Sequence, residues 1–279
     1  MTASVVRAGR PRSWPPRIVT MMAVLMLVVT CGCNRGAKPA PPVAETVDAA
    51  QTLRLMSDTL GRARQLTFKA RRQLDAALVE GSNIAESADI EVAVSRPRMV
   101  RARLVSPAGV RRFYADGQSI SLLDESMKLY ATVPVSGTID EVVDTLDEQY
   151  GFTPPLAEFV LNDPYQKFSK QIQSSVYRGK ETVNGVECDH LGLTGEIADA
   201  DVWVSRADHL PQRFLATFKD RDGSPQLKVD FSEWNLAATL EESAFTFDPP
   251  KDAAKIIMAA VEDVKPGEDK AGKAGKAVR

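Results

Sequence analysis

The chain has 279 residues, 44% hydrophobic and 26% charged, which is enough for one large packed domain or two small ones. Lys and Arg number 35 against 37 Asp and Glu, and four of those cations (Arg7, Arg10, Arg12, Arg17) fall in the acid-free first 32 residues. Without that segment 31 basic residues face 37 acidic ones, a net of −6. That balance excludes sequence-independent nucleic-acid binding, which needs a surplus of Lys and Arg.

Residues 1–17 carry the four arginines, and residues 18–30 (IVTMMAVLMLVVT) follow as a nearly unbroken apolar run. A membrane-spanning helix needs about 20 apolar residues, so this run is too short and reads as the core of an export signal. Thr30-Cys31-Gly32-Cys33 closes it. A small residue directly before a cysteine is the pattern cut by lipoprotein signal peptidases, although Thr30 stands where a branched aliphatic residue is usual. Residues 1–32 are therefore expected to be a lipoprotein signal peptide, with Cys33 the lipidated first residue of the mature chain. Several acyl chains on one cysteine anchor durably, because each buried methylene contributes about 0.8 kcal/mol. Residues 33–45, rich in Pro and Ala, read as a flexible tether. Apart from the anchor the mature body holds one cysteine, Cys188. No internal disulfide framework is available, and stability must come from the core.

The folded body is expected over residues 46–261. Ala50, Leu53, Met56 and Leu60 recur at helical spacing over 46–62. The period then switches to two. Leu66, Phe68 and Ala70 alternate with polar residues, and Gly81-Ser82-Asn83 turns the chain. Ile90, Val92 and Val94 follow, then Arg96-Pro97-Arg98 as a break, then Val100, Ala102 and Leu104. Pro107-Ala108-Gly109 and Asp116-Gly117 give hairpins around Phe113, Ala115, Ile120 and Leu122. Leu129–Val133 completes a meander with one apolar face.

A helical insert is expected at about 137–170. Thr138 and Glu141 fit a capping box, and Ile139, Val142, Val143, Leu146 and Tyr150 share one helical face. Pro154-Pro155 opens a second short helix and Asp163-Pro164 a third. Strands resume near 174, with Asn184-Gly185 as another hairpin, and run through 186–193, 201–205, 214–218, 227–231 and 245–247. A small helix at 251–261 closes the domain. Residues 262–279, mostly Lys, Gly, Ala and acid, are expected to be disordered. The fold class is α+β, mainly β: a strongly curled antiparallel sheet or unclosed β-barrel of about ten or eleven strands, with a leading helix and a helical lid.

The order of several short motifs carries a resemblance. They include Arg96-Pro97-Arg98, Phe113-Tyr114-Ala115-Asp116-Gly117, Tyr150-Gly151-Phe152-Thr153-Pro154-Pro155, Gly185-Val186-Glu187-Cys188-Asp189-His190, Val202-Trp203-Val204, Leu210-Pro211-Gln212-Arg213, Phe231-Ser232-Glu233-Trp234 and Phe245-Thr246-Phe247-Asp248-Pro249-Pro250. Together they resemble a bacterial family of predicted periplasmic proteins of unknown function, which looks related to the lipoprotein carriers LolA and LolB. The resemblance implies an unclosed barrel with a helical lid over an apolar cavity that accepts acyl chains. It carries over no functional residue.

Chemistry-bearing residues are few. His190 and Cys188, two apart on a strand, share a face. They are expected to pack or hydrogen-bond within the wall, with a Cys–His hydrolase as the remote alternative. His209, in a turn, reads as solvated. Neither histidine completes a typical zinc set, and no nucleotide, cofactor or hydrolase motif occurs. No enzyme activity, metal or cofactor is expected. Arg71, Arg72, Arg96, Arg98, Arg101, Arg103, Arg111 and Arg112 fall in the first hairpins. They read as a solvated outer face balanced by Asp75, Glu86 and Glu91, the alternative being contact with anionic headgroups.

The aromatics Phe68, Phe113, Trp203, Phe214, Phe218, Phe231, Trp234, Phe245 and Phe247 are expected to face inward. Phe68, Phe113, Trp203, Phe214 and Phe231 are candidates to line a cavity, under a lid made by Ile139, Val142, Val143 and Leu146. The sequence thus points to an exported, membrane-anchored envelope protein binding lipid or acyl chains. The alternative is a ligand-free scaffold.

Overall fold

The computed structural model describes residues 47–79, 84–154 and 156–260. The signal segment, Cys33, the tether, the turn at 81–83, Pro155 and the tail at 262–279 lie outside the described residues.

Helix α1 (Ala49–Arg62) starts at Asp48, whose side chain accepts from the Ala50 and Gln51 N–H groups. This is the usual role of a short acidic residue at a helix start. Its buried face is Ala49, Thr52, Leu53, Met56, Ser57 and Leu60. Ala50, expected on that face, is exposed; Ala49 takes the place, four residues before Leu53.

Six strands follow: β1 (Gln65–Leu74), β2 (Glu86–Ser95), β3 (Met99–Ser106), β4 (Gly109–Ala115), β5 (Ile120–Asp124) and β6 (Leu129–Val133). The insert comprises α2 (Ile139–Tyr150), α3 (Ala157–Val160) and α4 (Pro164–Gln171). The second meander is β7 (Ile172–Val183), β8 (Val186–Gly195), β9 (Ala198–Ser205), β10 (Pro211–Phe218) and β11 (Gln226–Asn235), and a short β12 (Ala254–Lys255) ends the sheet. Phe245–Phe247, expected as a strand, is instead the end of a 3₁₀ turn at Glu242–Phe245 and the extended chain after it.

The twelve strands form one sheet in the order β12-β6-β5-β4-β3-β2-β1-β11-β10-β9-β8-β7. β1 pairs with both β2 and β11, so the two meanders join at its first and last strands. All pairings are antiparallel except β12 with β6. β7 stands at one edge and β6, with its two-residue partner β12, at the other, so the sheet is not closed.

The closing helix expected at 251–261 does not form. Residues 236–258 run instead as a strap. Arg101 reaches the Ala244 carbonyl, and Phe247 packs against Tyr114 and Tyr130 on the face opposite the main core. The strap then crosses the sheet edge. The Ala254 and Ile256 N–H groups donate to the carbonyls of Lys128 and Tyr130, both at 2.8 Å. Edge pairing satisfies backbone groups that a helix would have satisfied internally, and it covers an otherwise open strand.

The helices lie on one face of the sheet, and the core is unevenly filled. Phe159 of α3 is its hub, with ring centroids 5.8 Å from Phe168, 5.6 Å from Phe214 and 4.7 Å from Phe231. Phe68 extends this cluster to Phe231 and stacks on Trp234. The trough over β1 and β8–β11 is therefore solid.

Two devices tie the insert down. Thr138 and Glu141 form the expected capping box at the start of α2. Arg96, following β2, donates to the carbonyls of Leu60 (3.1 Å) and Val160 (2.5 Å), at the C-terminal ends of α1 and α3. Helix C-termini carry partial negative charge, so a cation is favoured there. Burial holds the Arg96 guanidinium down at about 10.

Candidate functional site

The other half of the trough is open. Strand register sets three inward-facing rows across β2–β6: Val94–Val100–Ala115–Ile120–Val133, Val92–Ala102–Phe113–Leu122–Ala131 and Ile90–Leu104–Arg111–Asp124–Leu129. The middle row carries Ala102 and Ala131 where larger residues would fill the space. A cavity of about 630 Å³ lies there, within the range of small-molecule sites, about 300–1,000 Å³. Ala102, Leu104, Phe113, Leu122 and Leu129 are only half-buried because they face it.

Ile139, Val142 and Val143 of α2, with Ala157 and Val160 of α3, roof the cavity, and Phe152–Pro154 and the strap residues Ile256–Met258 complete it. Met127 and Ile257 are 66% and 92% exposed, so apolar side chains stand open to solvent where they border the cavity. Beside them the inner face turns polar. Arg111 Nε donates to Asp124 Oδ2 at 3.1 Å, and Arg72, 13% exposed, pairs with Glu86. Arg72 Nε is buried and has no partner among the described residues.

The structure thus brings Phe113, Ile139, Val142 and Val143 together at one cavity. Leu146 shares their helix face but is fully buried in the packed core. Phe68, Phe214 and Phe231 belong to the solid half of the trough around Phe159.

Trp203, expected to line the cavity, lies on the opposite face of the sheet. Val202 and Val204 take the inward positions of β9, and alternation sends Trp203 outward to join Val183 and Cys188 in a separate apolar cluster. The arginine group is likewise divided. Arg72 and Arg111 follow the inward parity of their strands, and Arg96 clasps the helix ends. Arg71 and Arg112 pair with Asp89 and Glu125.

Cys188 and His190 do share a face, as their spacing requires, but they form no reactive pair. Cys188 is 0% exposed, and burial pushes its thiol up to about 11. A thiol is nucleophilic as the accessible thiolate, which this environment disfavours. The His190 ring stacks on Trp203 at 4.2 Å. Its Nδ1 lies 2.9 Å from Glu181 and its Nε2 2.8 Å from Asp201. Both nitrogens are thus engaged by carboxylates, and neither is free to serve Cys188 as a base.

A family model described as "Predicted periplasmic protein (DUF2092)" matches residues 49–259. No curated protein matches the sequence. Among solved structures, the chain is similar to the MucA/MucB complex of Pseudomonas aeruginosa, at 17% identity and TM-score 0.39 over 72% of this chain and 62% of that one. It thus spans less than two thirds of that chain. It is similar to lipoprotein LppX of Mycobacterium tuberculosis at 13% identity and TM-score 0.42, covering 69% of this chain and 98% of that one. A LolA superfamily protein of Nitrosomonas europaea gives 11% identity and TM-score 0.37, covering 72% and 99%.

Proposed function

The chain belongs to the DUF2092 family of predicted periplasmic proteins, and from that starting point we propose that it binds lipid, or an acylated protein, in the cavity beneath α2. In this reading it is a non-enzymatic envelope lipoprotein, held to a membrane through lipidated Cys33. The observation that carries the reading is the half-buried apolar row Ala102–Phe113–Leu122 under a roof of Ile139, Val142 and Val143. Such a surface is costly when it meets water alone. Each methylene moved into it from water contributes about 0.8 kcal/mol, which favours a flexible alkyl chain over a polar ligand. The absence of catalysis in this reading rests on the enclosed Cys188 and the doubly engaged His190. The anchor rests on the sequence around Cys33 and on the export that a periplasmic family implies.

The test is made on the mature chain from residue 33, exported to a bacterial periplasm with Cys33→Ser so that no acyl group is attached. Purification without detergent is followed by native mass spectrometry and lipid extraction. Co-purified phospholipid or fatty acid at near one per chain is expected. A clean unliganded mass, unchanged by added lipid or acylated peptide, would favour a ligand-free scaffold instead.

A further inference from the structure

The lipid-binding reading leaves the head of the ligand unspecified, and the inner face of the sheet carries a signal about it. Two of the three inward rows are wholly apolar over β2–β6. The third places Arg111 and Asp124 inward, and Arg72 of β1 joins the cavity lining beyond it. A cavity built for a wholly apolar guest has no use for two guanidinium groups at its polar end. Among the described residues each is held by one contact to a carboxylate: Arg111 through Nε to Asp124, Arg72 through Nη2 to Glu86. A guanidinium has five N–H donors in a planar fork, so most of this capacity is left over. For Arg72 the Nε, without an acceptor among the described residues, is also shielded from water, and a buried donor without an acceptor is destabilising. Three arginines, Arg72, Arg111 and Arg112, line the cavity, each paired with one carboxylate: Glu86, Asp124 and Glu125.

We infer that the cavity takes a single-chain amphiphile with an anionic head, its tail along the Ala102–Phe113–Leu122 row and its carboxylate or phosphate accepting hydrogen bonds from Arg72 or Arg111. This rests on the lipid-binding reading and narrows it. Asp124 and Glu86 keep the two cations neutralised and oriented in the empty site. The head then adds charge-assisted hydrogen bonds to donors already in place, which are the strong kind.

The experiment titrates the exported Cys33→Ser chain, stripped of lipid, with three probes of equal tail length by native mass spectrometry. These are palmitate, palmitoyl lysophosphatidate and monopalmitoylglycerol. One or both anionic probes should bind at least roughly tenfold tighter than the neutral glyceride, the scale of a hydrogen bond to a charged group. The stronger of the two identifies the head as carboxylate or phosphate. Arg111→Gln, on a side chain 60% exposed, should erase much of that preference and leave monopalmitoylglycerol unchanged, with circular dichroism as the control for folding. Arg72→Gln with Glu86→Gln, which leaves no unpaired buried carboxylate, tests the second cation. Equal binding of anionic and neutral probes, or a preference untouched in both variants, overturns the head-group inference while the cavity reading stands. Failure of all three probes to bind overturns both.

Discussion

Glu181 shows how one side chain can organise the outer face of the second meander. It accepts from Trp203 Nε1 at 2.8 Å and contacts His190 Nδ1 at 2.9 Å. The bond from Trp203, then that with His190, holds its carboxyl below the usual glutamate range. A carboxylate with a depressed folded-state value adds stability that is fully present above its unfolded value and is lost as pH falls through the folded one. The stability difference between the parent and Glu181→Gln in thermal unfolding should therefore shrink as pH falls below about 5. A difference that grows on acidification would contradict this.

The same residues mark where sequence reading stopped. Alternation along β8 puts Cys188 and His190 on one face. It could not say which parity meets the core, because Val202, Trp203 and Val204 are all apolar. The burial of Val202 and Val204 in the main core, and of Trp203 in the separate cluster with Cys188, fixes the answer. Arg72 and Arg111 were hidden for the opposite reason. Their charge suggested solvent, whereas the parity of their strands sends them toward the cavity.

At the scale of elements, the insert was legible because its signals are local. Thr138 Oγ1 accepts from the Glu141 N–H at 3.3 Å, and Glu141 Oε2 accepts from the Thr138 N–H at 2.7 Å. Gly151, at φ 61°, closes α2 in the left-handed region that glycine adopts without strain. Thr138→Ala should cost about 1 kcal/mol in denaturant unfolding. Arg96 acts between elements, and nothing in its neighbours announces the contact with Leu60 and Val160. Arg96→Met leaves both carbonyls without their cation and should cost about 2–3 kcal/mol. Hydrogen exchange should rise first at α1 and α3. Unchanged protection there would show that the clasp contributes little. The helix expected at 251–261 gives way to the strap for a related reason. Its KDAAKIIMAA run has helix-forming composition, but the exposed edge of β6 offers its backbone a competing set of partners.

At the scale of the molecule, the sheet curls around two unlike halves. Phe159 and its aromatic partners fill the half over β1 and β8–β11, while small residues at Ala102 and Ala131 leave the half over β2–β6 open. The sheet, the leading helix and the lid could be read from periodicity alone. The position of the void could not, because it depends on which rows the register aligns. If Cys33 carries the anchor, Cys33→Ser should move the protein from the membrane to the soluble envelope fraction and abolish labelling by a palmitate analogue. Retention on the membrane would rule the anchor out.

The central claim is that the void beneath α2 is where an alkyl chain sits. It is tested most directly by filling it with Ala102→Trp in the exported Cys33→Ser chain and comparing bound lipid by native mass spectrometry, with circular dichroism as the control for folding. The account predicts a folded variant that has lost at least about 90% of the bound lipid, since a bulky ring removes the volume and contacts the ligand needs. A folded variant that carries lipid at the parent's level would place the ligand elsewhere and contradict the account.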